Sequence, residues 1–142
     1  MELTILTNAR KPWDMRPATK SLAVTASIKA EVEAKAKELI ESVLKPKYVR
    51  PPLENEQFNY IIDIKAKWFR NSFYFISVYS CPGPNAIKPE FESKFARMEP
   101  LGNNTFALYF MRYTGKEWVG VFDALSIDEC MKAINDDEWF TP

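Results

Sequence analysis

Thr105-Phe106-Ala107-Leu108-Tyr109-Phe110-Met111-Arg112-Tyr113-Thr114-Gly115-Lys116-Glu117-Trp118-Val119-Gly120-Val121-Phe122 is the stretch on which the fold turns. Aromatic and β-branched residues crowd two runs, and Thr114-Gly115 divides them, which predicts two strands joined by a tight turn. With Thr114-Gly115 as a two-residue loop, Arg112 faces Glu117, Met111 faces Trp118, Phe110 faces Val119 and Tyr109 faces Gly120. Alternation then places Ala107, Tyr109, Met111, Trp118 and Phe122 on one face, and Phe106, Leu108, Phe110, Val119 and Val121 on the other. Both faces are apolar, and one helix can cover only one of them. The second needs cover from the chain's own termini, a second subunit or a small apolar ligand, because large apolar patches are seldom left bare.

Three more strands precede this hairpin. Phe58, Tyr60, Ile62, Ile64, Ala66 and Trp68 alternate with Asn59, Asp63, Lys65 and Lys67, the pattern of a strand with one buried face. Arg70-Asn71 forms a turn into 73–80, which is apolar on both faces and so central. Cys81-Pro82-Gly83-Pro84-Asn85 opens a loop, 91–98 is the third strand, and Pro100 with Gly102-Asn103-Asn104 turns the chain. The fourth strand is expected over 105–113 and the fifth over 117–122.

Helices flank the strands. Ile28, Val32, Ala36, Leu39, Ile40, Val43 and Leu44 recur at steps of three and four, with Lys29, Glu33, Lys37 and Glu41 opposite. Thr25 or Ser27 caps this helix and Pro46 is expected to end it. Ser126-Ile127-Asp128-Glu129 is a capping box that starts a short amphipathic helix through Ile127, Cys130, Met131 and Ile134. The expected fold is α+β: a long N-terminal helix packed on a five-stranded antiparallel meander sheet, with a short C-terminal helix. Residues 1–24, broken by Pro12 and Pro17, read as an irregular arm that starts with a short strand at 3–6, and 25–142 as a single domain.

Composition bounds what such a domain can do. The chain has 142 residues, 46% of them hydrophobic and 27% charged, enough for one core without disulfides or metals. Its formal net charge is zero, whereas proteins that grip phosphates carry a basic excess. Charge is nonetheless segregated: residues 1–52 hold 10 basic and 6 acidic side chains, and residues 53–142 hold 9 and 13. No apolar run is long enough to span a bilayer, and the N-terminus lacks the pattern of a signal peptide. Cys81 and Cys130 have no metal-like spacing and read as reduced thiols of a cytoplasmic protein.

Catalytic signals are sparse. The chain has no histidine, which removes the commonest general base and metal ligand. Cys81, before Pro82-Gly83-Pro84, reads as an ordinary thiol near a turn, and Cys130 as core. Four glycines, at 83, 102, 115 and 120, form no phosphate-binding loop. Asp136-Asp137-Glu138 lacks calcium-loop spacing and reads as a solvated helix end. Asp63, Glu99 and Asp123 are the carboxylates that could pair for hydrolysis, with no sequence sign that they converge. Lys65, Lys67, Trp68, Arg70, Arg97 and Arg112 interleave cations with aromatics, as in sheets that bind single strands, but Trp68 shares a face with Ile62 and Ile64 and reads as core.

Phe95-Ala96-Arg97-Met98-Glu99, then Phe106 to Trp118, Leu125-Ser126-Ile127-Asp128-Glu129 and Phe140-Thr141-Pro142 resemble a family of small uncharacterised bacterial proteins of unknown function. That resemblance covers residues 91–142. It implies an Arg-His-Thr-Gly-x-Trp core, and Tyr113 stands where histidine is expected, which argues against acid–base work there. It implies a bacterial origin and no activity.

Taken together, these features predict a non-enzymatic binding or protein-interaction domain that self-associates as a homodimer through an apolar sheet face. The expected binding residues are Trp118, Tyr109 and Met111, with Trp13 and Trp139 as outlying contacts. No catalytic residue, cofactor or metal is expected; another protein or a small apolar ligand is the other partner considered, and a membrane is not. Alternative readings are a nucleic-acid-binding domain using basic and aromatic strand residues, and a small enzyme with a carboxylate site.

Overall fold

A computed structural model of the chain describes residues 24–51, 58–83, 89–113 and 116–142. The arm with its short strand and Trp13, Pro52 of the linker, Pro84-Asn85 of the loop and Thr114-Gly115 lie outside the described residues.

The first helical rod has three parts: α1 (Ala26–Leu39), a π-helical turn (Ile40–Leu44) and α2 (Lys45–Tyr48). Thr25 is its cap, its Oγ1 accepting from the Ile28 N–H at 3.2 Å. Contrary to expectation, Pro46 does not end the helix. Proline lacks an N–H, and in a regular helix its ring would strike the carbonyl four residues back. The chain widens just upstream instead, the Lys45 N–H reaching back five residues to the Ile40 carbonyl. Helical geometry then resumes to Tyr48, and the Arg50 N–H donates to the Ile61 carbonyl at 3.0 Å, tying the helix end to the first strand.

The strands are β1 (Tyr60–Phe69), β2 (Ser72–Ser80), β3 (Glu90–Gly102), β4 (Thr105–Arg112) and β5 (Glu117–Leu125). They form a five-stranded sheet in chain order, every neighbouring pair antiparallel. Arg70 and Asn103-Asn104 take positive φ in the tight turns. Arg112↔Glu117, Met111↔Trp118, Phe110↔Val119 and Tyr109↔Gly120 pair as the sequence predicts.

Irregularities shift other residues from their expected faces. A bulge between Ile61 and Asp63 breaks the alternation of β1, so that buried Ile61 joins the main core cluster with Ile64, while Ile62 is only half-buried. Pro100 stays in the strand opposite Phe106, tolerated because the register shifts immediately after it. In β5 two register shifts set Phe122 opposite Leu108, and Phe122 packs against the core with Val121 instead of sharing the face of Tyr109. The strand also runs on to Leu125.

Helix α3 (Ile127–Asp136) follows, with both hydrogen bonds of the capping box formed, then a 3₁₀ turn (Glu138–Phe140). One face of the sheet holds the core. Val32, Ala36, Leu39, Ile40 and Leu44 of the first rod pack there with Phe73, Phe75, Phe95 and Met98, and Ile127, Cys130, Met131, Ile134 and Phe140 complete the cluster with Phe106 and Leu108. Full burial of side chains this large stabilises by roughly 1.5–3 kcal/mol each, so this layer dominates the folding free energy. Trp68 packs at its margin, its Nε1–H donating to the Lys29 carbonyl at 3.3 Å.

Candidate functional site: the sheet face opposite the helices

Alternation along the strands sends a second set of side chains away from both helices. Row by row it carries Lys67, Tyr74, Arg97, Tyr109 and Gly120 in register across all five strands. Tyr109 lies over Gly120, where an added Cβ would come within 3.3 Å of the ring, so this glycine makes room for the tyrosine. On its other side the Arg97 guanidinium stacks on the Tyr109 ring at 5.0 Å.

Polar groups on this face are cross-linked. The Tyr109 hydroxyl donates to Glu99 Oε1 at 2.8 Å, Arg97 Nη2 donates to Glu99 Oε2 at 3.3 Å, and Arg97 Nε donates to Ser72 Oγ at 3.2 Å. Burial, then the hydrogen bond to Glu99 and the negative charges of Glu99 and Asp123, push the Tyr109 phenol up to about 12. Arg97 and Glu99 are only 23% and 29% exposed, so solvent screens their pairing less than that of Arg112 and Glu117, at 59% and 55%.

Tyr74 of β2 and Trp118 of β5 touch, with ring centroids 5.8 Å apart, although β3 and β4 lie between their strands. Neighbouring strands are about 4.8 Å apart. The contact therefore requires the sheet to curl, making this face concave, and the two rings bridge the trough. Lys94 lies over Tyr74 at 4.8 Å. Ile76 and Ala107, on the same face, are 0% and 2% exposed.

Three expected binding residues thus meet here: Tyr109, Met111 and Trp118 share this face and are half-buried. Trp139 does not join them. It packs at a tilt against Phe110, on the helix side, with centroids 4.8 Å apart. Tyr74, Arg97 and Glu99 were not singled out for this surface. The match of Arg97 to Tyr109 was the available signal, but it depends on the β3–β4 register, which the shift after Pro100 obscures.

The carboxylates considered for hydrolysis are divided. Asp63 bridges to Lys45 at 3.3 Å, whereas Glu99 and Asp123 both act on Tyr109. Cationic side chains are mostly engaged: Lys65 pairs with Glu92, Arg97 with Glu99 and Arg112 with Glu117. Cys81 and Cys130 are free thiols, and burial pushes the Cys130 thiol up to about 12, leaving it inert. Among the described residues no group of three or more Cys, Asp or Glu side chains could hold a metal ion, and no helix is long and apolar enough to cross a membrane.

Fold and sequence together define an α+β domain whose meander sheet is packed by helices on one face. The family described as "Domain of unknown function (DUF3024)" matches residues 24–142, and the chain belongs to it. The match takes in the first helix and the whole sheet, a wider span than residues 91–142. No curated protein and no solved structure matches the chain.

Proposed function

We propose that this domain is a non-enzymatic interaction module that self-associates through the concave sheet face, as a bacterial cytoplasmic homodimer. The observation that carries this reading is the convergence of Tyr74, Tyr109, Met111 and Trp118 on the face opposite the helices. Half-buried aromatics ringed by ion pairs are the composition of an interface core and its rim.

Charge placement supports a like partner. Lys67 lies on β1 opposite Tyr74, and Asp123 lies on β5 close enough to Tyr109 to act on its phenol. A two-fold axis along the middle strand sets β1 of one copy against β5 of the other, bringing these opposite charges together. Free thiols and the absence of histidine fit a reducing compartment and a binding rather than an acid–base role.

Nucleic acid suits this face less well, because most of the cations it would use, Lys65, Arg70, Arg97 and Arg112, are paired with carboxylates or laid on rings. Sedimentation across the micromolar range tests the proposal: the native chain should shift from monomer to dimer, and Trp118→Lys should remain monomeric with unchanged circular dichroism. A native chain that stays monomeric throughout sinks it. Salt-sensitive retention on single-stranded DNA would favour the nucleic-acid alternative.

A further inference from the structure

A second recess lies on the helix side, where the edge strand β5 meets α3 and the 3₁₀ turn. It is a shallow depression of about 600 Å³, open to solvent over most of its extent. The register shifts of β5 build it. With Ala124 at φ 54°, the strand end presents Phe122 and Leu125 to the helix, and Ala133 of α3 completes an apolar floor. Glu129, Lys132 and Asp136 recur at helical spacing along one wall, and Asp137 and Glu138 close the end.

Several of these charges have structural partners. Glu129 Oε1 accepts from the Ser126 N–H at 2.8 Å, Asp137 Oδ1 accepts from the Trp139 N–H at 3.1 Å, and Lys132 pairs with Asp136 at 2.9 Å. In each of these contacts the carboxylate is the acceptor. The wall therefore carries four carboxylates and one ammonium around a greasy floor, a combination that repels anions and lacks a clustered metal-ligand set.

We infer that this cleft is a docking site for a basic polypeptide segment of another protein, seating one apolar side chain on Phe122, Leu125 and Ala133 while flanking lysines or arginines face Glu129, Asp136 and Glu138. The apolar floor selects a side chain and the rim selects the sign of its neighbours. Neither part requires the concave face, so the inference stands apart from self-association.

Anisotropy of a labelled Lys-Arg-Leu-Lys-Arg peptide with the full chain tests it. Binding should weaken as salt is added. Replacing the leucine by glycine should weaken it on the order of tenfold, the factor expected from losing one partly buried leucine. Asp136→Lys with Glu138→Lys, both at exposed positions, should abolish binding without changing the fold. Glu138→Gln, which removes one charge, should give an intermediate affinity. The inference is overturned if the peptide does not bind, if the glycine peptide binds equally well, or if the double variant keeps native affinity. It is also overturned if Glu138→Lys alters the sedimentation of the protein without peptide, because the occupant would then be a second copy.

Discussion

Ala124 is held at φ 54° on the exposed end of β5, in the left-handed region that costs a residue with a Cβ roughly 1–2 kcal/mol. Glycine removes that cost but adds unfolded-state freedom worth roughly 0.4–1 kcal/mol, so relief outweighs entropy. Ala124→Gly should therefore stabilise the protein by roughly 0.5–1 kcal/mol, read as a raised midpoint in urea. At this scale the sequence was legible wherever alternation ran unbroken, as in the Met111↔Trp118 pair. It was not legible at Phe122 or Ile61. A bulge moves a side chain across the sheet without altering the apolar pattern that is read.

Among the elements, α3 has the most explicit local instruction. Ser126 and Glu129 each satisfy a backbone N–H of the other, and Asp128 and Glu129 place negative charge at the positive end of the helix. Ser126→Ala should cost about 1 kcal/mol, seen as a lower unfolding midpoint, while Ser126→Asp should largely retain native stability. The capping box and the final hairpin were readable because their determinants lie within a few residues. Pro46 misled for the converse reason. Its local rule predicts a helix end, but Tyr48 and Val49 pack against the core, and a single π-helical turn accommodates the proline.

For the molecule as a whole, ionisation leaves a broad range of constant stability. Tyr109 has a folded value of about 12 against an ordinary 10.0, so its contribution is complete below pH 10 and disappears as pH rises to about 12. Lys35, Lys45 and Lys132, each raised chiefly by a hydrogen bond to a carboxylate, act in the same direction above their ordinary 10.5. Glu92 is lowered by its hydrogen bond to Lys65, so its contribution is present above 4.5 and lost as pH falls. With no histidine to titrate between, the urea midpoint should be flat across neutral pH and fall above about pH 9, where the buried Cys130 thiol, raised from 9.0 to about 12, starts to lose its contribution ahead of Tyr109. Tyr109→Phe should make that alkaline fall shallower; an identical slope would contradict the assignment. The candidate face was only half legible at this scale. Met111, Tyr109 and Trp118 follow from one hairpin, but their meeting with Tyr74 depends on the curl of four strands.

The strict succession of strands bears on how the chain finds its shape. Each strand pairs with the next one along, so a hairpin closes over a short connection and offers its free edge to the following strand. Loop closure rises only slowly in cost with length, yet it must be met before any distant contact repays it. A sheet assembled this way never waits for a remote segment. The contacts that do span the chain are those of its two terminal helical segments, which close the layer over Phe73, Phe95 and Phe106 from opposite ends of the domain.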